Sequence, residues 1–225
     1  MTKPTKDMSI GDAIGVIESF IGSNLRKRIG DFEHAIKNCD GDSCRSMGIE
    51  AGITSDLLGA AYTVKKAAGQ INVLIHAAAI VMLIPQIIEK DERIEYVSLG
   101  AGNAGRSFDL ETNLRVAEFK FIHWQGGAES IRQNGIFKDF YMLAEDATQK
   151  RKELYVLGLD HPLRFLRGNR AIKSVLSKNN KLFKEFQDRY GDRFSTVSQY
   201  YNFRQNDVAV RDATPLVPEL LKIIS

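Results

Sequence analysis

The chain has 225 residues, of which 44% are hydrophobic, 26% charged and 9% aromatic, with a formal net charge of +3. Such a composition belongs to a folded globular chain and excludes a disordered, fibrous or low-complexity protein. So small a net charge does not by itself mark a nucleic-acid binder, and any such surface must come from the local distribution of charge.

Met1 to Gly11 lacks an apolar core and is expected not to be a signal peptide. Residues 11–37 read as one helix, because Ile14, Ile17, Ile21, Leu25, Ile29 and Phe32 recur at three- and four-residue steps. A loop around Gly41 and Gly48 holds Cys39 and Cys44. No further Cys or His pair completes a zinc site, so the two are read as free thiols of a cytoplasmic protein, with a local disulfide as the alternative. A second helix starts near Ser55 and runs through Ala67, with Gly69 as a break or kink. Residues 70–89 form an almost wholly apolar helix, expected to be buried on most sides against a sheet. Its apolar run from Val73 to Ile88 contains His76, Pro85 and Gln86 and is too short and interrupted for a membrane span.

The pattern then turns extended. Arg93 to Leu99 reads as a strand, and Gly100 to Gly105 as a turn-rich connection. Ser107 to Thr112 is a short strand, Thr112-Asn113-Leu114 a hairpin turn, and Arg115 to Trp124 a third strand. A helix follows over Ala128 to Ala147, with Ile131, Ile136, Phe137, Phe140, Tyr141 and Leu143 as its buried stripe, then a fourth strand from Glu153 to Gly158. A hairpin followed by a helical crossover predicts an α/β fold, a mixed sheet flanked by helices. Ala171 to Tyr190 and Pro215 to Ile224 read as tail helices. The organisation is thus a helical region 1–69, a core 70–160 and a basic, mostly helical region 161–225, forming one compact domain.

The chemistry concentrates on the hairpin. Period-two alternation puts Glu118 and Lys120 on one face of the third strand, and the hairpin brings Asp109 beside them. Glu118-Phe119-Lys120 is the only acid-x-Lys triplet in the chain. Phe119 and Phe121 make the opposite face apolar, and Val116 and Ile122 accompany the charged pair, so both faces are expected to be covered. Two neighbouring carboxylates repel, and a divalent cation removes that cost; hard oxygen ligands suit Mg²⁺. A cation there activates water and neutralises phosphoryl charge, with Lys120 orienting the water or stabilising developing negative charge. A surface hairpin with a solvated Glu–Lys pair is the competing reading.

Ser107-Phe108-Asp109 followed by Glu118-Phe119-Lys120, in the order helix, three strands, helix, strand, resembles the PD-(D/E)XK nuclease superfamily over residues 70–158. The resemblance implies a restriction-endonuclease-like fold with helical extensions at both ends. It also implies metal binding by Asp109, Glu118 and the Phe119 carbonyl (Mg²⁺, with Mn²⁺ as substitute) and assistance to the nucleophile by Lys120. Phe108 stands where the motif has Pro, and no acid falls within residues 70–88, leaving Glu50, Glu89 or Glu111 to complete the site. Gln133, with Tyr141 two turns on, matches a glutamine that some exonuclease-like branches carry. Members that cut both strands pair two sites, so a homodimer is consistent with the resemblance.

His161 to Lys184 holds seven basic residues, among them Arg164, Arg167, Arg170 and Lys173, and no acid. Beside a nuclease site such a face holds phosphates; alone it is a solvated helix face. His76 reads as a core histidine, His123 and Trp124 as packing residues, with base stacking the alternative for Trp124. Tyr200 to Arg204 is edge packing or a nucleic-acid contact. Gly100 to Gly105 does not make a dinucleotide loop, because a strand and not a helix follows. The expected function is a cytoplasmic, Mg²⁺-dependent nuclease acting on DNA, with no membrane partner. The alternatives are a silent nucleic-acid- or protein-binding module of the same fold, and an assembly protein docked through the helix at 70–88.

Overall fold

The structure, a computed structural model, describes residues 8–22, 24–100, 108–122, 124 and 129–222. The chain divides into two compact units, Met1–Asn72 and Val73–Ser225.

In the first unit the single helix expected over 11–37 is two. Helix α1 (Ile10–Ile21) ends at Gly22, whose φ of 53° is left-handed backbone that glycine adopts without steric cost. Helix α2 (Leu25–Ala35) starts anew where the Asn24 side chain accepts from the Lys27 N–H. The cysteine segment is helical rather than a loop: Asp40 caps α3 (Gly41–Glu50) through the Ser43 N–H. Both cysteines are free thiols. Arg28 donates to the Phe20 and Ala51 carbonyls at 2.9 Å each, satisfying acceptors left over at two helix ends.

Helix α4 (Ser55–Ile87) is continuous for 33 residues, passing Gly69 without a break. Pro85 is tolerated because it falls in the last turn, where one lost hydrogen bond no longer interrupts a long ladder. The expectation of burial on most sides does not hold. Only 22% of its most apolar window is buried, and Val73, Leu74, Val81 and Met82 are exposed. By length and composition it is also the one helix among the described residues able to cross a membrane.

The second unit is built on a five-stranded sheet in the order β1-β2-β3-β4-β5, comprising β1 (Ile94–Val97), β2 (Leu110–Thr112), β3 (Arg115–Lys120), β4 (Arg151–Val156) and β5 (Ala209–Asp212). The first three pair antiparallel, and β3–β4 and β4–β5 pair parallel. This is the mixed sheet flanked by helices that the hairpin and crossover predict. Helix α5 (Ser130–Glu145) connects β3 to β4. Helices α6 (Asp160–Leu166), α7 (Ile172–Val175), α8 (Asn180–Tyr190) and α9 (Val197–Arg204) connect β4 to β5, and α10 (Glu219–Lys222) closes the chain. The helix expected from Ala171 to Tyr190 breaks in two, because Asn179 caps α8 by accepting from the Leu182 N–H.

Alternation on β3 separates two cores. Val116 joins Leu154, Val156, Phe137, Phe140 and the α6–α9 side chains on one face. Ala117 and Phe119 join Ala79, Ile80 and Leu83 of α4, with Tyr155 and Leu157, on the other. Tyr200 and Tyr201 are buried in the first core, so that stretch is packing. At the β3 start, buried Arg115 bonds Glu92 (2.6 Å), Glu153 (2.8 Å) and the Ile87 carbonyl at the end of α4 (2.7 Å). Such a three-way anchor satisfies the guanidinium fork without solvent.

Candidate active site

The sheet delivers Asp109, Glu118 and Lys120 to one place. The register Glu111↔Val116 and Leu110↔Ala117, carried one step further, sets Asp109 across from Glu118. The Phe119 N–H donates to Asp109 Oδ2 at 3.1 Å, which fixes that carboxylate against β3. Lys120 Nζ lies 3.0 Å from Glu118 Oε1 and 2.9 Å from Asp139 Oδ2. The side chains of Glu118 and Lys120 are 13% and 32% exposed, so the pair is not a solvated surface bridge.

Asp139 comes from α5 and is 5% exposed. Sequence reasoning passed over it, although the signal was present. Ile136, Asp139, Phe140 and Leu143 stand at steps i, i+3, i+4 and i+7, so an acid sits on the apolar stripe of α5. A buried carboxylate at such a position needs a partner, and Lys120 is that partner.

The electrostatics follow from crowding. Burial first, then the charge of Asp139 and, less strongly, that of Asp109, push the Glu118 carboxyl up to about 7 against the pull of Lys120. Burial raises Asp139 as well, with Lys120 opposing. For Lys120 burial works against the charged form, but Asp139 and Glu118 outweigh it and keep the ammonium protonated. Two carboxylates therefore share one cation, and the charge of Asp109 adds to the repulsion on Glu118. A hard divalent ion suits these oxygen donors, and further positive charge would relieve their repulsion. Among the described residues no three or more His, Cys, Asp or Glu side chains close into a ready metal cluster.

The other acids considered for the site are engaged elsewhere. Glu111 accepts from Lys150 Nζ at 3.0 Å. Glu89 is paired with Arg151 and lies 3.6 Å from Arg115. Glu50 belongs to α3 of the first unit. The acid the fold adds to the site is Asp139. His76 is not a core histidine: its Nε2 is 3.6 Å from Asp109 Oδ2, its ring meets Phe121 edge-on, and its side chain is 26% exposed. His123 lies outside the described residues, as do 101–107 of the glycine-rich turn and the strand start expected at Ser107.

One space adjoins this cluster, and a second lies next to the first across Trp124. An apolar cavity of about 240 Å³ is lined by Lys120, Ile122, Trp124, Ile131, Ile136 and Val156, among others. A cleft of about 370 Å³ is lined by Trp124, Gln133, His161, Arg164 and Arg170, among others. Of the basic and amide residues marked for nucleic acid, Gln133, Arg164 and Arg170 thus share a wall, whereas Arg167 and Lys173 are exposed and do not line it. Compared with known proteins, the chain matches no family model, no curated protein and no solved structure.

Proposed function

We propose that the chain is a cytoplasmic, metal-dependent nuclease of restriction-endonuclease-like fold that hydrolyses DNA phosphodiester bonds at Asp109, Glu118 and Lys120. One observation carries the reading: a half-buried ammonium held between the carboxylates of Glu118 and Asp139, with Asp109 just ahead of the adjoining strand β2. Charges taken out of water at this density cost stability, and a fold tolerates that cost where chemistry requires it.

Asp109, Glu118 and the Phe119 carbonyl would hold Mg²⁺, for which Mn²⁺ substitutes. When bound, the ion supplies an activated water and neutralises charge on the phosphoryl oxygens. Glu118, whose carboxyl is pushed up to about 7 without a metal, would be held ionised by a bound cation, so metal binding would release the strain of its burial. Lys120 stays protonated and aims positive charge at the phosphoryl group. Asp139 touches neither; it positions the Lys120 ammonium from the opposite side. Phe119 and Tyr155, 5.3 Å apart, pack under the strand and hold it still.

Incubation with single- and double-stranded DNA and with RNA, in Mg²⁺, Mn²⁺ or EDTA, tests the reading. Cleavage is expected with either metal, absent in EDTA and slowed by roughly a hundredfold or more in Lys120→Ala that retains its circular dichroism. A wild-type chain that cuts none of these substrates with either metal overturns it. The second reading is a silent binding module of the same fold. It is favoured by the ion pairs of Lys120, which already offset part of the carboxylate charge without a metal. That reading expects salt-sensitive nucleic-acid binding with no cleavage.

A further inference from the structure

We infer that the chain is a two-fold dimer built on the outward face of α4, with α4 of a second copy of this chain packed antiparallel across Ala78. The inference is independent of the nuclease reading, and its test uses neither DNA nor metal.

Helix α4 carries two apolar stripes rather than one. His76, Ala79, Ile80, Leu83 and Ile87 recur at three- and four-residue steps and turn toward the sheet, where Ala79, Ile80 and Leu83 are buried. Leu74, Ile75, Ala78, Val81, Met82 and Pro85 recur at the same helical spacing about half a turn away. All six are exposed, Leu74 by 67%, Val81 by 54% and Met82 by 46%. A helix lying on a sheet ordinarily shows polar side chains to water on that outer face. Here no Asp, Glu, Lys or Arg stands between Lys66 and Glu89. The exposed part of the outer stripe amounts to roughly 500 Å² per copy, within the range at which an apolar patch marks an interaction site. Burying it on two copies removes roughly 1,000 Å² from water, the lower bound for a specific interface.

The order of residues within the stripe selects the occupant. Ile75 and Val81 lie three residues to either side of Ala78, and Leu74 and Met82 lie four to either side. An antiparallel copy therefore sets Ala78 on its own counterpart, Leu74 on Met82 of the second copy and Ile75 on Val81 of the second copy. One patch then serves both sides, as a two-fold interface requires. The small Ala78 at the centre lets the two helix axes approach to about 8 Å. With no charge on the stripe, pairing like with like carries no repulsion. A lipid bilayer fits less well. A spanning helix meets lipid on all sides, whereas the opposite stripe of α4 is committed to the sheet. A helix lying in the bilayer surface carries Lys and Arg along its polar face, and residues 67–88 have none. Pairing also leaves the candidate active site uncovered. His76, whose Nε2 is 3.6 Å from Asp109 Oδ2, belongs to the stripe that faces away from the second copy.

Sedimentation equilibrium of the full chain across the micromolar range, in EDTA and without nucleic acid, should give a mass approaching twice the 25.2 kDa of one chain. Leu74→Glu with Met82→Glu places carboxylates from both copies in the seam. It should weaken association on the order of a hundredfold or more while circular dichroism stays as in wild type. Where that variant does not fold, cross-linking decides. Ala78→Cys, with both native thiols removed as Cys39→Ser and Cys44→Ser, should form an intermolecular disulfide under mild oxidation. It should do so on the order of tenfold faster than Lys178→Cys, an exposed control in the same background, because position 78 meets its own counterpart. A wild-type chain that stays monomeric throughout the range overturns the dimer. Flotation of that monomer with phospholipid vesicles assigns the stripe to a membrane instead, and resistance of Leu74→Cys to thiol labelling assigns it to another part of the same chain. A dimer unaffected by Leu74→Glu with Met82→Glu, or Ala78→Cys that cross-links no faster than Lys178→Cys, overturns it as well.

Discussion

Replacing Glu118 with Gln should stabilise the metal-free fold at neutral and alkaline pH while removing its activity. Glutamine keeps the shape of a neutral glutamic acid. The Glu118 carboxyl sits at about 7 in the fold against an ordinary 4.5, first because it is buried and then because Asp139 and Asp109 repel it. A gap of that size corresponds to roughly 3 kcal/mol, the extra cost of keeping the group ionised inside the fold. Because the folded value is the higher one, Glu118 disfavours folding as pH rises. Its contribution is fully present below about pH 4.5 and is lost as pH climbs through 7. Asp139 is raised too and adds a loss of the same sign. Urea unfolding followed by circular dichroism in EDTA should therefore show wild type losing stability between about pH 5 and 8. Glu118→Gln should show a flatter profile and an advantage of about 2–3 kcal/mol at pH 8, worth very roughly 5–10 °C in Tm. Added Mg²⁺ should stabilise wild type at pH 8 and leave Glu118→Gln unmoved. A Glu118→Gln chain less stable than wild type at pH 8 in EDTA would refute the reasoning, since it would mean that Lys120 makes Glu118 a net asset in the fold.

Asp139→Asn removes the larger of the two repelling charges and leaves Lys120 to Glu118 alone, so the Glu118 titration should move below 7, visible as an acid shift in the pH dependence of cleavage or in carboxyl ¹³C NMR. Lys120→Ala should lower kcat by roughly 10² to 10³ with single- and double-stranded substrates alike, in steady-state assays at saturating metal. Arg115→Leu strands Glu92 and Glu153, both buried, and should cost about 3–5 kcal/mol in denaturant unfolding. In wild type, Arg115 holds the Glu92 carboxyl down at about 2. This group thus stabilises the fold above about pH 4.5, and acid unfolding should deepen as pH falls from there toward 2, a slope that Arg115→Leu should lose.

Local periodicity made much of the core readable. Alternation across Arg115 to Lys120 is a period-two pattern, so the shared face of Glu118 and Lys120 followed from the residues themselves. The apolar stripe of α5, save Ile131, which is exposed rather than buried, and the hairpin turn before β3 were equally local, and together they announced a mixed sheet with a helical crossover. What the residues could not announce was which distant element meets which. Asp139 stands on the α5 stripe in plain view, but that it reaches Lys120 depends on how α5 crosses the sheet. Residues 161–225 read as a helical extension, yet they return as β5 to pair with β4, a partner fixed only when the sheet forms. The apolar composition of α4 suggested burial, but composition counts side chains and not neighbours, and much of that surface is uncovered among the described residues. Trp124 and Gln133 share a cleft with residues 161–170 because α6 folds back beside α5. Spacing along the chain dictates which side chains share a face, since backbone geometry repeats every two or 3.6 residues. Which faces then meet is decided by long-range packing, and the clasp of Glu118 and Asp139 on Lys120 exists only after that packing is complete.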